Sequence, residues 1–436
     1  MADRRSSDKA DQPLAPSRLL AHQIPDTEPP ALVDYFKRIP SRTFVFYLSH
    51  FHSDHYAGLS RVWSSGVVHC SVPTGKLLTD VLRVDAKFVR GLEFEVEYEI
   101  GDAKVTLLDA NHCPGAAMLL FKTREGNVYL HTGDFRYDPS MVKQPALSGI
   151  SIHTLFLDTT YGNPGCVFRS QTEAINTAVD YVGEVVKDCS VRGQVPPLVL
   201  VGSYTIGKER IALALARAFG WKIFTTGRHR QILDCLELNE QHSMLFTQNA
   251  RDARVHMVPM NVVGSALPYF RANFQRIQFY IQDRGLADVF SSVIGFLPTG
   301  WSFTKRWNKE HSTMTSGAIT VRLLEYSEHS SYDELKQFVD GLRPQKVIPT
   351  VFSSQEEYAR LFEDMQPRKK KTTESSTTPR TKKRSRGLVV EDRSQLKITS
   401  FFSRGATVST TATSPKLILS CQCERSQHCE VIDISD

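Results

Sequence analysis

Between Ser49 and His55 the chain reads Ser-His-Phe-His-Ser-Asp-His, three imidazoles and a carboxylate within six residues. These are the side chains that ligate a divalent cation, and core packing gives little reason to gather them. His50 and His52 are two apart, so on extended chain they point the same way. Asp54 and His55 follow as the chain turns and address a second point close by. Three further stretches offer ligands: Asn111-His112-Cys113-Pro114-Gly115, Thr132-Gly133-Asp134 and Ser327-Glu328-His329. Sorted by reach, His50, His52 and His112 form one candidate site, and Asp54, His55 and His329 a second. Asp134 is the natural bridge, because a carboxylate has two oxygens and can hold two cations about 4 Å apart. Water in such a field is hydroxide near neutral pH, the reagent of a hydrolase.

Such ligands need rigid support, and each group follows a stretch with strand character. Thr43 to Leu48 is β-branched, aromatic and apolar, the composition of a buried strand ending at the first histidines. Lys104 to Leu108, Ala117 to Phe121 and Val128 to Leu130 read as short strands, and His131 and His153 fall on strands as structural residues. From about 161 to 317 helix and strand alternate. Thr172 to Val186 reads as an amphipathic helix, Leu198 to Val201 as a buried strand, and Glu209 to Phe219 as a helix leading to the strand Lys222 to Thr225. This is α/β texture, expected of an inserted or second domain. From 318 the first texture returns, with a strand Ala318 to Leu324 and a helix opened by a capping box of Ser331 and Glu334. Strand Lys346 to Ile348 and helix Glu356 to Met365 close the core. The proline-scattered residues 1–30 and the Lys/Arg/Ser/Thr-rich residues 367–436 are expected to be disordered.

The chain has 436 residues, 41% of them hydrophobic and 23% charged, enough for a globular protein of two domains. No apolar run is long enough for a membrane span, and the first residues lack the apolar core of a signal peptide, so an intracellular protein is expected. Cysteines are scattered singly except for Cys421, Cys423 and Cys429, which argues against a disulfide framework. The net charge of +6 is uneven: Arg368 to Arg386 carries nine Lys or Arg against one acid, Glu374, which leaves the remainder slightly acidic. A nucleic-acid partner therefore cannot be argued from overall charge.

The motifs themselves resemble a known family. The His-x-His-x-Asp-His stretch, the single His112 after a strand and the Thr-Gly-Asp loop look like the metallo-β-lactamase fold. Leu157-Asp158-Thr159-Thr160-Tyr161 and Tyr326-Ser327-Glu328-His329-Ser330-Ser331 look like its β-CASP nucleic-acid-processing branch. Within that branch, Leu108 to Gly115, His131 to Arg136 and Gly202 to Glu209 resemble the DNA cross-link repair nucleases, relatives of Artemis and Apollo, most of all their cross-link-unhooking 5′ exonucleases. The resemblance covers roughly residues 31 to 365. It implies an α/β protein in which a four-layer αββα metallo-β-lactamase core, residues 31–160 and 318–366, carries an inserted α/β β-CASP domain at 161–317. It further implies zinc, one ion or two, held by His50, His52, Asp54, His55, His112, Asp134 and His329, with Asp34 supporting the ligands from behind. Asp54, Asp134, Asp158 and His329 match the catalytic positions. Val351 stands where RNA-processing members carry histidine, so the substrate implied is DNA. The family cuts from a 5′-phosphorylated end, and Ser71, Thr74, Lys208, Ser327 and Ser330 are candidates for binding that phosphate.

The tail adds possible recruitment signals. Arg368 to Lys371 and Lys382 to Arg386 are spaced like a bipartite nuclear-import signal. Gln395, Ile398, Phe401 and Phe402 match the spacing of a PCNA-interacting box, and Val431, Ile432 and Ile434 beside acids resemble a SUMO-interacting motif. Cys421, Cys423, His428 and Cys429 lack the usual spacing of a zinc site. The expectation is a nuclear, monomeric, zinc-dependent 5′ to 3′ DNA exonuclease in interstrand cross-link repair. The alternatives are a hairpin endonuclease and an end-binding scaffold recruited by PCNA.

Overall fold

The computed structural model describes residues 21–37, 43–236, 238, 240–266, 270–300 and 312–367. Two sheets face each other. In the first, β1 (Gln23–Ile24), β2 (Ala31–Val33), β3 (Val45–Tyr47), β4 (Val68–Ser71) and β5 (Val89–Leu92) lie in sequence order, all parallel except the β1/β2 pair. The second is built from β6 (Glu97–Ile100), β7 (Ala103–Asp109), β8 (Ala117–Lys122), β9 (Val128–His131), β10 (Thr154–Leu157) and β20 (Lys346–Pro349), in the order β20-β10-β9-β8-β7-β6. Its β9, β10 and β20 are parallel and the rest antiparallel.

Side-chain alternation explains how these sheets stack. Along β10, Phe156 turns into the space between the sheets with Val33, Tyr47 and Leu107, whereas Leu155 and Leu157 turn to the helical side. The Tyr47 ring meets Phe121 of the opposite sheet edge-on at 5.1 Å. Helix α1 (Val72–Asp80) covers β4 and β5 from outside. On the far side Phe338 of α8 (Tyr332–Leu342) packs on Phe135 at 4.8 Å, and α9 (Gln355–Asp364) lies against β20. The result is helix, sheet, sheet, helix.

The other lobe is a seven-stranded sheet. Its strands are β11 (Leu198–Ser203), β12 (Ile223–Phe224), β13 (Phe246–Thr247), β14 (Val255–Pro259), β17 (Val293–Pro298), β18 (Thr313–Ser316) and β19 (Ile319–Leu324), ordered β13-β12-β14-β11-β17-β19-β18. A small ladder of β15 (Gly264–Ser265) and β16 (Arg271–Ala272) stands apart. Helices α2 (Gln171–Val191) and α3 (Glu209–Phe219) bury Ala174, Ala178 and Ile211 with Val199 and Val201. On the opposite face Ile277 of α7 (Phe274–Asp283) meets Leu198 and Leu200. Short α4 (Gly227–Cys235), α5 (Glu240–Ser243) and α6 (Met260–Val263) complete the lobe. No helix among the described residues is long and apolar enough to cross a membrane.

Two boundaries differ from the sequence reading. Strand 319–324 pairs in parallel with β17 over six residues, so it belongs to the second lobe's sheet and the return to the core comes after it, not at 318. Residues 21–30 also belong to the fold: Ile24 is fully buried, and the Ala21 carbonyl accepts from His131 Nε2 at 3.1 Å. The import signal, PCNA box, SUMO motif and Cys421 to Cys429 cluster lie outside the described residues.

Candidate metal centre

The loop after β3 is fastened from behind by Asp34. Ser49 N–H and Oγ–H donate to its two oxygens at 2.7 and 2.6 Å, and His55 Nδ1 approaches Oδ2 at 2.8 Å. Burial opposes the charge on Asp34, but His55 and these hydrogen bonds outweigh it and hold the carboxyl below its ordinary range. The Asp134 loop closes onto this one because Gly133, at φ +54, has no side chain; a Cβ there would stand 2.6 Å from Ser49 Cβ. Asp34, Asn111 and Lys208 all hold positive φ beside the site, at 53, 52 and 68 degrees. Such backbone costs on the order of 1 kcal/mol or more and persists where the surroundings fix it.

Hydrogen bonds to oxygen settle three tautomers. His50 Nδ1 donates to Ser49 Oγ at 2.9 Å, whose own proton goes to Asp34. His52 Nε2 donates to the Ile206 carbonyl at 3.1 Å, and His112 Nδ1 to the Glu328 carbonyl at 2.8 Å. A neutral imidazole that donates through one nitrogen presents a lone pair at the other. Those lone pairs converge: His52 Nδ1 lies 2.9 Å from His50 Nε2 and 3.1 Å from His112 Nε2, with Asp134 Oδ2 at 3.7 and 3.9 Å from the latter two. Burial pushes the His50 and His112 pKa values well down, and neighbouring histidines add to the effect, which keeps both rings neutral. Lone pairs aimed at one point repel unless a cation or proton lies between them. Zn–N bonds of about 2.0–2.1 Å around a tetrahedral ion bring ligand nitrogens to similar separations. The donor set thus fits a divalent cation.

A second group shares Asp134. His55 Nε2 lies 3.2 Å from Asp134 Oδ2 and 3.8 Å from Asp54 Oδ2, and His329 Nε2 lies 3.9 Å from Asp134 Oδ2. Burial alone would lower the His55 pKa, but Asp134, Asp54 and Asp34 overcome it and raise it well above the usual value. Asp54 is the exposed member, its side chain 57% accessible against 9% for Asp134. Asp158 stands beside this group, with ligand atoms of Asp134, Asp158 and His329 all within 4.8 Å of one another. Its oxygens face His329 Nδ1 at 2.9 Å, Thr160 N and Oγ1 at 2.9 and 2.6 Å, and Phe135 N at 3.4 Å. Its 2.9 Å contact is with the outer nitrogen of His329, so it orients that ring.

The five candidate phosphate groups each have an internal partner. Ser71 caps α1, and its hydroxyl and that of Thr74 point at the Gly115 carbonyl at 2.5 and 3.1 Å. Ser330 Oγ donates to Phe135 O at 2.9 Å, and Ser327 Oγ accepts from His329 N at 3.0 Å. Lys208 Nζ lies 2.8 Å from Glu328 Oε2, with both side chains buried. A hydroxyl has one proton to give, and here it is directed inward. Val351 exchanges backbone bonds with the Thr159 hydroxyl at 3.2 and 2.6 Å, next to Asp158. The sequence reading missed Glu328 and Ile206 as holders of His112 and His52, and missed the buried Arg136. All three stand inside the motifs that carry the resemblance, but Glu328 and Ile206 hold their histidines through backbone carbonyls, which the residue type does not signal.

The fold and this site define a two-lobed α/β protein with a divided His/Asp centre fit for divalent cations. A family model described as DNA repair metallo-beta-lactamase matches residues 240–355. The chain is 38% identical to the DNA cross-link repair protein SNM1 of Arabidopsis thaliana over 73% of its own length and 66% of that protein's. It is 40% identical to the DNA cross-link repair 1A protein of Mus musculus over 73% of the chain and 31% of the relative, and 35% identical to the 5′ exonuclease Apollo of Gallus gallus over 75% and 63%. The chain thus spans less than two thirds of each of these relatives. It carries the DNA repair metallo-β-lactamase domain over residues 240–355, and that family's name implies a bound divalent metal.

Proposed function

We propose that this protein is a zinc-dependent 5′ to 3′ exonuclease acting on 5′-phosphorylated DNA, in interstrand cross-link repair in the nucleus. The observation that carries the reading is the convergence of four imidazole Nε2 atoms on one oxygen, Asp134 Oδ2, at 3.2 to 3.9 Å. The names of the relatives support the substrate and the direction. His50, His52, His112 and Asp134 would hold one cation, and Asp54, His55, Asp134 and His329 the other. A divalent cation there supplies Lewis-acid charge to a phosphodiester and acidifies water. Asp34 and Asp158 fix the rings of His55 and His329 through their outer nitrogens, so neither can swing away under load. Asp54 is the carboxylate that water and substrate can reach, placed to receive a proton. Val351 offers no ligand atom, which supports DNA over RNA. The tail motifs support recruitment by PCNA through Gln395, Ile398, Phe401 and Phe402, contact with SUMO through Val431, Ile432 and Ile434, and nuclear import.

Digestion of matched 5′-phosphate, 5′-hydroxyl, hairpin and RNA strands by the zinc-loaded full chain tests this. Stepwise release of nucleotides from the 5′-phosphorylated DNA end, abolished in Asp134→Ala, is expected. Cleavage confined to hairpins, or identical residual cutting by Asp134→Ala, overturns the reading.

A further inference from the structure

We infer that a closed ring of hydrogen bonds through Arg136, Ser327, Gln171, Arg210 and Asn111 fixes the distance between the loops bearing His112 and His329, and that Arg210 and Gln171 of the second lobe are positioning residues for the metal centre. The inference rests on the reading of that centre as a cation site.

The ring can be followed atom by atom. Arg210 donates through one terminal nitrogen to Gln171 Oε1 at 2.6 Å and through the other to Asn111 Oδ1 at 2.7 Å. Gln171 Nε2 donates to the Ser327 carbonyl at 3.0 Å. The same carbonyl accepts from Arg136 Nη1 at 2.9 Å, and the Arg136 carbonyl accepts from Asn111 Nδ2 at 3.1 Å, closing the loop. Carbonyl acceptors at both amide nitrogens fix the orientation of Gln171 and Asn111, since a flipped amide would set oxygen against oxygen. The Arg136 charge is met by Glu334 at 3.0 Å, and its plane lies 4.9 Å from the Phe168 ring. It is only 2% exposed.

Each core member of the ring adjoins a ligand. Asn111 immediately precedes His112. Ser327 is one residue before Glu328, whose carbonyl orients His112, and two before His329. Arg136 is two residues after Asp134. The two members from the second lobe sit at helix starts: Gln171 opens α2 behind a Ser170/Glu173 capping box, and Arg210 is the second residue of α3, behind Lys208. Helix N-termini are stiff platforms, and the Arg210 fork spans two partners that a single ammonium cannot reach together. The second lobe therefore sets the positions of ligands that the core supplies. A ring has a signature that independent contacts lack, because opening it at any point releases the whole circuit.

The test is zinc affinity of the full chain by competition with a chelator, with the visible spectrum of the Co²⁺-loaded protein as a geometric readout. The chains compared are wild type, Arg210→Lys, Gln171→Met, the double variant and Asp134→Ala. Each single variant is expected to lose affinity by roughly 10-fold, the lower end for outer partners of metal ligands. The double variant is expected to lose little more, and the Co²⁺ spectrum to change in all three. The unfolding midpoint of the metal-free chain separates this from simple loss of fold, and Arg210→Lys is mild enough to keep it. Wild-type affinity and spectrum in both single variants, or losses that multiply in the double, overturn the ring while Asp134→Ala still loses the metal. Retention of zinc by Asp134→Ala overturns the reading of the centre itself, and the ring's role with it.

Discussion

The two halves of the centre are built on different supports. In the first, His52 and His112 are oriented by backbone carbonyls of Ile206 and Glu328, and His50 and His112 are buried neutral rings. In the second, His55 and His329 are oriented by the carboxylates Asp34 and Asp158, and the exposed Asp54 stands beside them. Carbonyls fix a tautomer without adding charge, whereas carboxylates also make the ring more basic and favour its protonated form when no metal is present. The first half is thus set up for a resident cation, and the second for one whose arrival must displace a proton.

The contrast can be broken at several points. The largest effect is expected from Asp134→Ala, which removes the oxygen common to both halves: cleavage should fall by more than about 100-fold, beyond what outer partners cost, as read by single-turnover kinetics. Next, Asp158→Ala should weaken binding of the second zinc equivalent by about 10- to 100-fold, leaving the first nearly untouched in a calorimetric titration, whereas Asp34→Ala, which also frees the Ser49 that holds His50, should weaken both; equal loss from both equivalents in Asp158→Ala would erase the distinction.

A smaller effect concerns pH. The lowered pKa values of His50 and His112 keep these rings unprotonated well below neutrality, so the first equivalent should bind almost equally at pH 6 and pH 8. His55, raised despite its burial well above its ordinary value by Asp134, Asp54 and Asp34, holds its proton to higher pH, so the second equivalent should tighten as pH rises and release a proton. The smallest effect lies in the scaffold of the second half. Ser331→Ala opens the capping box with Glu334 at the start of α8 and should cost about 1 kcal/mol in denaturant unfolding.

Part of each half was legible in the sequence, because His50, His52, Asp54 and His55 follow one strand side by side in the chain. The Ser331/Glu334 capping box and helix Glu209–Phe219 were legible for the same local reason. His329 was offered by its own loop and matched by the motif resemblance, since nothing in the chain near His55 points to a residue so far away. The assignment of β19 to the second lobe was not legible, because its parallel partner β17 is reached only through the fold. Nor were the inward hydroxyls of Ser71, Thr74 and Ser330, as a serine that caps a helix and one that awaits a phosphate have the same composition. The grip of the second lobe on the centre, through the Ile206 carbonyl and Arg210, is made of long-range pairings that leave no periodic trace.

The most direct measurement is anomalous scattering at the zinc absorption edge from crystals of the zinc-loaded chain. The account predicts a peak within bonding distance of His50 Nε2, His52 Nδ1 and His112 Nε2, and a second, weaker one between Asp134, His55 and His329. Absence of both peaks, or zinc bound through the outer nitrogens that here face Ser49, Ile206 and Glu328, would contradict it.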